Sequence, residues 1–301
     1  MKALVGLDLG PGDSLALETL FRLNFESADI HMAHAVEPAM PLSAFEIIPA
    51  GTVEEEYLTT MKEAGNKRLT RAIDQAAKRG FKTHGEVLFG PAAASLCHRA
   101  DEGYDLLCVE AREHTGLERF VSGSVSQTLA VSAHQSVLIA KHCVKSEDPM
   151  TVILAVDHSP YCMSCIDQFL SWKPRGIDKI YVATAYNITH EEARILNANL
   201  TYLGQDAEVF VKTNITSKTE AIAERLRSAG YKAEAVVTKG EAAKVLSDLA
   251  KEKHADLTVL GARGHGFWDR LMMGSTSFAV LASCGNSVLI LRIPKENSKT
   301  P

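Results

Sequence analysis

The feature that most constrains this chain is that it repeats itself. Ala3-Leu4-Val5-Gly6-Leu7-Asp8, an apolar run closed by a carboxylate, recurs as Val152-Ile153-Leu154-Ala155-Val156-Asp157. Gly90-Pro91-Ala92-Ala93-Ala94-Ser95-Leu96 recurs as Gly240-Glu241-Ala242-Ala243-Lys244-Val245-Leu246, and Asp105-Leu106-Leu107-Cys108-Val109 as Asp256-Leu257-Thr258-Val259-Leu260. Gly123-Ser124 then matches Gly274-Ser275, and Ser136-Val137-Leu138-Ile139 matches Ser287-Val288-Leu289-Ile290. Matches in one order along both halves of 301 residues predict two units, 1–145 and 149–295, each long enough for its own core. The polar run Lys145-Ser146-Glu147-Asp148-Pro149 is the expected boundary.

Within each unit, short runs of Val, Ile and Leu alternate with stretches of helical period, which is the pattern of a parallel sheet covered on both faces. The fold class is therefore α/β. In the second unit, strands are expected near 151–156, 178–185, 232–238, 256–260 and 287–292, with helices near 161–172, 216–229, 241–252 and 275–283. Ile222 and Leu226 fall on one face with Glu220, Glu224 and Arg225 turned outward, and Gly230 supplies the stop. Residues 186–214 are expected to be only partly helical, because Gly204 and Asp206 interrupt the period.

Charge narrows the partners. The 37 acidic and 32 basic side chains leave a formal charge of -5, which offers no field for a nucleic acid. The first apolar run meets Asp8 too early for a signal-peptide core, and no stretch approaches the roughly 20 apolar residues that cross a bilayer, so no membrane partner and a cytoplasmic location are expected. The six cysteines sit mostly in apolar segments, as reduced thiols do in a core. In such a setting the glycosylation-like triplets at Asn187, Asn199 and Asn214 have no consequence.

The chemistry concentrates after the fourth strand of the second unit, in Gly261-Ala262-Arg263-Gly264-His265-Gly266-Phe267-Trp268-Asp269-Arg270-Leu271-Met272-Met273-Gly274-Ser275-Thr276. In an open parallel sheet this loop leaves the carboxyl edge, where ligands bind. Glycines 261, 264 and 274 let the backbone approach an anion and adopt positive φ, with N–H groups left to meet oxygens. The helix starting at Ser275 adds unpaired N–H donors, and Ser275 and Thr276 add hydroxyls. Asp157, ending the first strand, either accepts hydrogen bonds from an adenine amino group or ribose, or caps the helix beginning near Ser159. Cys162-Met163-Ser164-Cys165 has dithiol spacing, but the order of elements differs from a thioredoxin, and no second ligand pair points to zinc. For Phe267 and Trp268 packing is the expected role.

Gly261, two residues, Gly264, nine residues, Gly274-Ser275 resembles the ATP-binding motif of universal stress proteins, and Asp157 matches the family's aspartate after the first strand. The resemblance covers essentially the whole chain and implies two tandem open, parallel-sheet domains of the adenine nucleotide α-hydrolase-like, Rossmann-like kind. It implies ATP as the ligand, with Mg as an optional counter-ion. Asp157 and the backbone near Ala185 would hold the adenine, and Gly261, Gly264, Gly274, Ser275 and Thr276 the ribose and phosphates; Arg263 and His265, in the same loop, are further candidates to contact the phosphates. It further implies that the strands at 136–141 and 287–292 pair within the chain as a pseudo-dimer, covering edges open to aggregation, and it leaves a homodimer of chains open.

The first unit departs from this pattern. Glu110 and Glu113 stand at its first two glycine positions, although Asp8, Gly123 and Ser124 persist and Arg112 and Arg119 lie nearby. Acidic side chains beside a phosphate predict a degenerate site there and one ATP per chain. No GxxxxGK[ST] loop or assignable nucleophile and base is read from the sequence, so rapid ATP hydrolysis is not expected, and the favoured expectation is a stress-response sensing or regulatory module, with at most weak ATP hydrolysis, whose loop can alter the surface met by a protein partner. The alternatives are a slow ATPase or nucleotidyl transferase, and a nucleotide-free structural protein.

Overall fold

The computed structural model describes residues 1–10, 12–37, 52–81, 83–111, 123–141, 148–200, 206–263 and 273–293. The first half runs β1 (Lys2–Gly6), α1 (Leu15–Leu23), β2 (Asp29–Val36), α2 (Thr52–Lys78), β3 (Thr83–Phe89), α3 (Ala92–Ala100), β4 (Leu106–Glu110), α4 (Ser124–Ser132) and β5 (Ser136–Ala140). The second runs β6 (Met150–Ala155), α5 (Pro160–Ser171), β7 (Ile177–Tyr186), α6 (His190–Leu200), α7 (Ala207–Ser228), β8 (Lys232–Lys239), α8 (Ala242–Glu252), β9 (Leu257–Gly261), α9 (Ser275–Ser283) and β10 (Ser287–Leu291). Most of the expected boundary at 145–149 lies outside the described residues.

The ten strands among the described residues form one sheet in the order β3-β2-β1-β4-β5-β10-β9-β6-β7-β8. Each half is parallel internally, and the last strands of the two halves, expected to associate, pair antiparallel with Val288 opposite Ile139 and Ile290 opposite Val137. The central strands are buried on both faces, so β5 reads Ser-Val-Leu-Ile-Ala with every residue enclosed. One core lies beneath α1, α2, α5 and α7, and the other beneath α3, α4, α8 and α9; both contain residues of both halves.

The repeated glycines have a backbone reason. Gly90 and Gly240 take φ of 118° and 151° where β3 and β8 turn into their helices, a region costly for any side chain. Ile222 and Leu226 are buried as the pattern requires. The helix expected at 216–229 begins instead at Ala207, because Asp206, read as an interruption, is its N-cap and accepts from the N–H groups of Glu208 and Val209.

A second contact joins the halves. The Gly176 N–H donates to Leu23 O and the Arg175 N–H to Asn24 O, both at 3.1 Å, and Phe25 meets Trp172 edge to face at 5.9 Å. Arg22 pairs with Asp256 at 2.9 Å beside them. Gly176 is obligatory here: a Cβ would lie 1.6 Å from the Arg22 carbonyl oxygen.

Candidate functional site

In the second half the chain goes β6 to β7 to β8 on one side, then returns to β9 and β10 on the other, so β6 and β9 flank a topological switch point. A crevice beyond the carboxyl ends of strands at such a point is where open α/β sheets bind ligands. A cavity of about 320 Å³ opens there, lined by Ala155 at the end of β6 with Val156 and Asp157 after it, Ala183 and Ala185 of β7, and Leu260, Gly261 and Arg263 at the end of β9. Cys162 of α5, Ala242 and Leu246 of α8, Gly274, Ser275, Thr276 and Ser277 at the start of α9, and Val280 further along it complete the lining. The volume is at the low end of the range for small-molecule sites.

Seven expected residues therefore converge: Asp157, Ala185, Gly261, Arg263, Gly274, Ser275 and Thr276. Gly264 and His265, with Phe267, Trp268 and Arg270, lie outside the described residues. The walls Ala155, Ala183, Ala242, Leu246 and Leu260 were not singled out from sequence. Ala183 and Ala185, two apart on β7 and so on one face, carried the available signal.

Gly261 and Gly274 do not adopt the positive φ expected of them. Gly274 has φ -64° and ψ 149°, and Gly261 ends an extended strand, so neither uses positive φ. Nor does packing demand them. A Cβ on Gly261 would meet Arg263 O, Cys165 Sγ and Tyr161 Cε1 at 3.4 Å, and one on Gly274 would find nothing nearer than Ala262 O at 3.5 Å, all ordinary contacts. What the two glycines keep is bare main chain on the cavity wall. The Gly274 N–H is not a free donor, since it donates to Ala262 O at 2.8 Å.

Donors remain one step further on. As N-cap of α9, Gly274 has no side chain to accept from the first turn, so the N–H groups of Ser275, Thr276 and Ser277 lack a side-chain cap. With the helix dipole behind them they present partial positive charge to the cavity. Ser277 Oγ donates to Gly261 O at 2.9 Å, tying the helix start to the strand end. The Arg263 guanidinium, over the Tyr161 ring at 5.6 Å, brings a full charge.

Asp157 does not cap α5. Ser159 is the N-cap and accepts from the Cys162 N–H at 3.1 Å, while Asp157 Oδ1 accepts from the Ser159 N–H at 2.9 Å, an Asx turn that orients its carboxylate at the cavity. His158 follows in the left-handed region, φ 62°, with Nε2 at 3.2 Å from both Thr184 Oγ1 and Thr219 Oγ1.

The dithiol spacing has no activated thiol behind it. Cys162 and Cys165 are buried on α5, and burial pushes their thiols up to about 11 and about 12, the reverse of a reactive thiolate. Cys97, Cys108 and Cys284 are also free, while Cys143 lies outside the described residues. Among the described residues, no cluster of three or more His, Cys, Asp or Glu is placed to hold a metal ion, and no helix is long and apolar enough to cross a membrane.

The first half is built differently at the equivalent place. Glu110 stands where Gly261 stands, and its carboxylate accepts from the Oγ of Ser14, the N-cap of α1, at 2.5 Å. Arg68, buried in α2, donates to the carbonyl oxygens of Asp8 and Gly12 at 3.0 and 2.7 Å, pinning the loop after β1. Gly6, matching Ala155, has Leu96 and Val109 so close that a Cβ would meet them at 2.8 and 3.1 Å. Glu113 lies outside the described residues.

Comparison with known proteins agrees with this architecture. A sequence model of the universal stress protein family matches twice, over residues 1–141 and 150–292. A universal stress protein of Methanocaldococcus jannaschii is 30% identical over 115 residues, 38% of this chain and 65% of that relative, so just under two thirds of its length is spanned. The universal stress protein YxiE of Bacillus subtilis is 28% identical over 146 residues, 46% of this chain and 98% of that protein. Among solved structures, a universal stress protein from Archaeoglobus fulgidus superposes with a TM-score of 0.66 at 15% identity, covering 97% of this chain and 98% of that one, which is a likeness of fold.

Proposed function

The chain belongs to the universal stress protein family, and from that premise we propose that it binds one adenine nucleotide, ATP, in the cavity of its second half and acts as a stress-response sensing or regulatory module. The observation that carries this reading is the asymmetry at one position: bare main chain at Gly261, a carboxylate at Glu110.

The wall chemistry fits the parts of a nucleotide. Ala155, Ala183 and Ala185 give a shallow apolar surface against which a flat base can lie. The Asp157 carboxylate accepts from an exocyclic amine or ribose hydroxyls. A phosphate tail would take the uncapped N–H groups and hydroxyls of Ser275 and Thr276, with Arg263 balancing its charge. In the first half the Glu110 carboxylate would face that tail, so one nucleotide per chain is expected. Mg, where it accompanies ATP, would shield the phosphates.

Occupancy joins the ends of β6, β9 and α9 through one molecule, which stabilises whichever loop conformation completes the site and so alters the surface a protein partner meets. The test is calorimetric titration of the purified chain with ATP, together with identification of any small molecule released on denaturation. One equivalent bound is the expected result. Two equivalents would overturn the asymmetry, and none, with no nucleotide released, would overturn the reading.

A further inference from the structure

Where β5 meets β10, Lys141 and Arg292 each belong to the half opposite the helix they serve. Lys141 leaves the end of β5, and its Nζ donates to the carbonyl oxygens of Leu281 and, at 2.7 Å, Cys284, in the last turn and C-cap of α9. Arg292 leaves the end of β10, and its guanidinium donates to the carbonyl oxygens of Ala130 in α4 and, at 3.4 Å, Gln135. The backbone repeats the exchange: the Arg292 N–H donates to Ser136 Oγ at 3.0 Å and the Lys141 N–H to Ser287 Oγ at 3.3 Å.

A cation at the carbonyl end of a helix satisfies orphan acceptors and opposes the negative end of the dipole. For α9 this has a consequence at the other end. The helix has nine residues, so its termini are only about 13 Å apart. Its first turn lines the cavity and is tied to Gly261 by Ser277. A rod that short has little room to tilt at one end without moving the other. Lys141 is 3% exposed, so its anchor is shielded from water. Burial lowers its ammonium to about 8, which still leaves the charge in place at neutral pH.

We propose that Lys141 is a positioning residue for the nucleotide cavity of the opposite half, holding α9 from its carboxyl end so that Ser275 and Thr276 stand against Gly261. The proposal rests on the nucleotide reading above. It makes the second half incomplete alone: one strut of its cavity comes from β5. Arg292 plays the mirror role for α4, a helix of the half that carries Glu110, and so provides an internal control.

Four proteins decide it: the full chain, Lys141→Met, Lys141→Arg and Arg292→Met, each titrated with ATP and followed by amide hydrogen exchange. Lys141→Met is expected to weaken ATP about tenfold and to raise exchange in the amides of 275–284. Lys141→Arg, borrowing the residue used at the mirror position, should restore both to within about twofold. Arg292→Met should raise exchange in α4 and leave ATP affinity within about twofold. Unchanged affinity and protection in Lys141→Met overturn the proposal, as does an equal loss of affinity in Arg292→Met, which would mean general loosening. If Lys141→Met does not fold, Lys141→Gln, which keeps donors without charge, takes its place with the same outcomes. Should the wild-type chain bind no ATP, the nucleotide reading fails, and the exchange arm still decides whether Lys141 holds α9.

Discussion

Gly261→Glu places in the second half the residue that the first half carries at Glu110. The three nearest neighbours of the new Cβ are at 3.4 Å, and the backbone there is extended, so the fold accepts the added Cβ without strain. Gly261→Ala is the matched control, and removing backbone freedom from the unfolded chain makes it neutral or stabilising by about 0.5 kcal/mol. The carboxylate, by contrast, stands at the cavity wall between Asp157 and the start of α9. A phosphate oxygen about 4 Å away costs about 4 kcal/mol at an effective dielectric near 20. Arg263 on the same wall offsets part of this, so a loss of ATP affinity of about a hundredfold to a thousandfold is expected. Calorimetric titration measures the affinity, and thermal unfolding checks that both variants melt within a few degrees of wild type. A folded Gly261→Glu chain that binds ATP as wild type does would refute the placement of the phosphates at α9 and with it the explanation of the asymmetry.

Two further outcomes test other parts of the molecule. Gly176→Ala drives a methyl into the Arg22 carbonyl and disturbs the two hydrogen bonds and the Arg22 to Asp256 pair that close the seam; a loss of about 3 to 5 kcal/mol is expected in denaturant unfolding, and a loss under about 1 kcal/mol would show that the seam relaxes freely. Ser275→Asp puts a negative charge in the exposed first turn of an uncapped helix, so it should raise stability by about 0.5 kcal/mol while weakening ATP at least tenfold, opposite signs that melting and titration read separately; a change of the same sign in both would refute the assignment of that helix start to an anion.

The repeat made the strands of the second half legible to within one or two residues, because fully buried parallel strands leave uninterrupted runs such as Val152-Ile153-Leu154. It also located the loop edge, and seven of the nine proposed site residues line one cavity. Local signals failed where one residue type serves two purposes: Asp206 breaks a helical period and also starts a helix. Of the two reasons offered for Gly261 and Gly274, positive φ is not used and bare main chain remains, since composition cannot separate a glycine needed for φ from one needed for clearance. The seam was partly hidden. Pairing of the last strands followed from family resemblance, whereas the fit of Gly176 on Arg22 O and the crossed caps of Lys141 and Arg292 join residues about 140 to 160 positions apart and leave no periodic trace.

The antiparallel junction of β5 and β10 relates the halves as two copies of a protein are related across a dyad. Between separate identical subunits any mutation would appear on both sides at once, so a site could not be silenced in one partner and spared in the other. Covalent linkage lifts that constraint. It also makes encounter of the halves independent of how dilute the protein is, so a cell holding few copies would retain the fully assembled form.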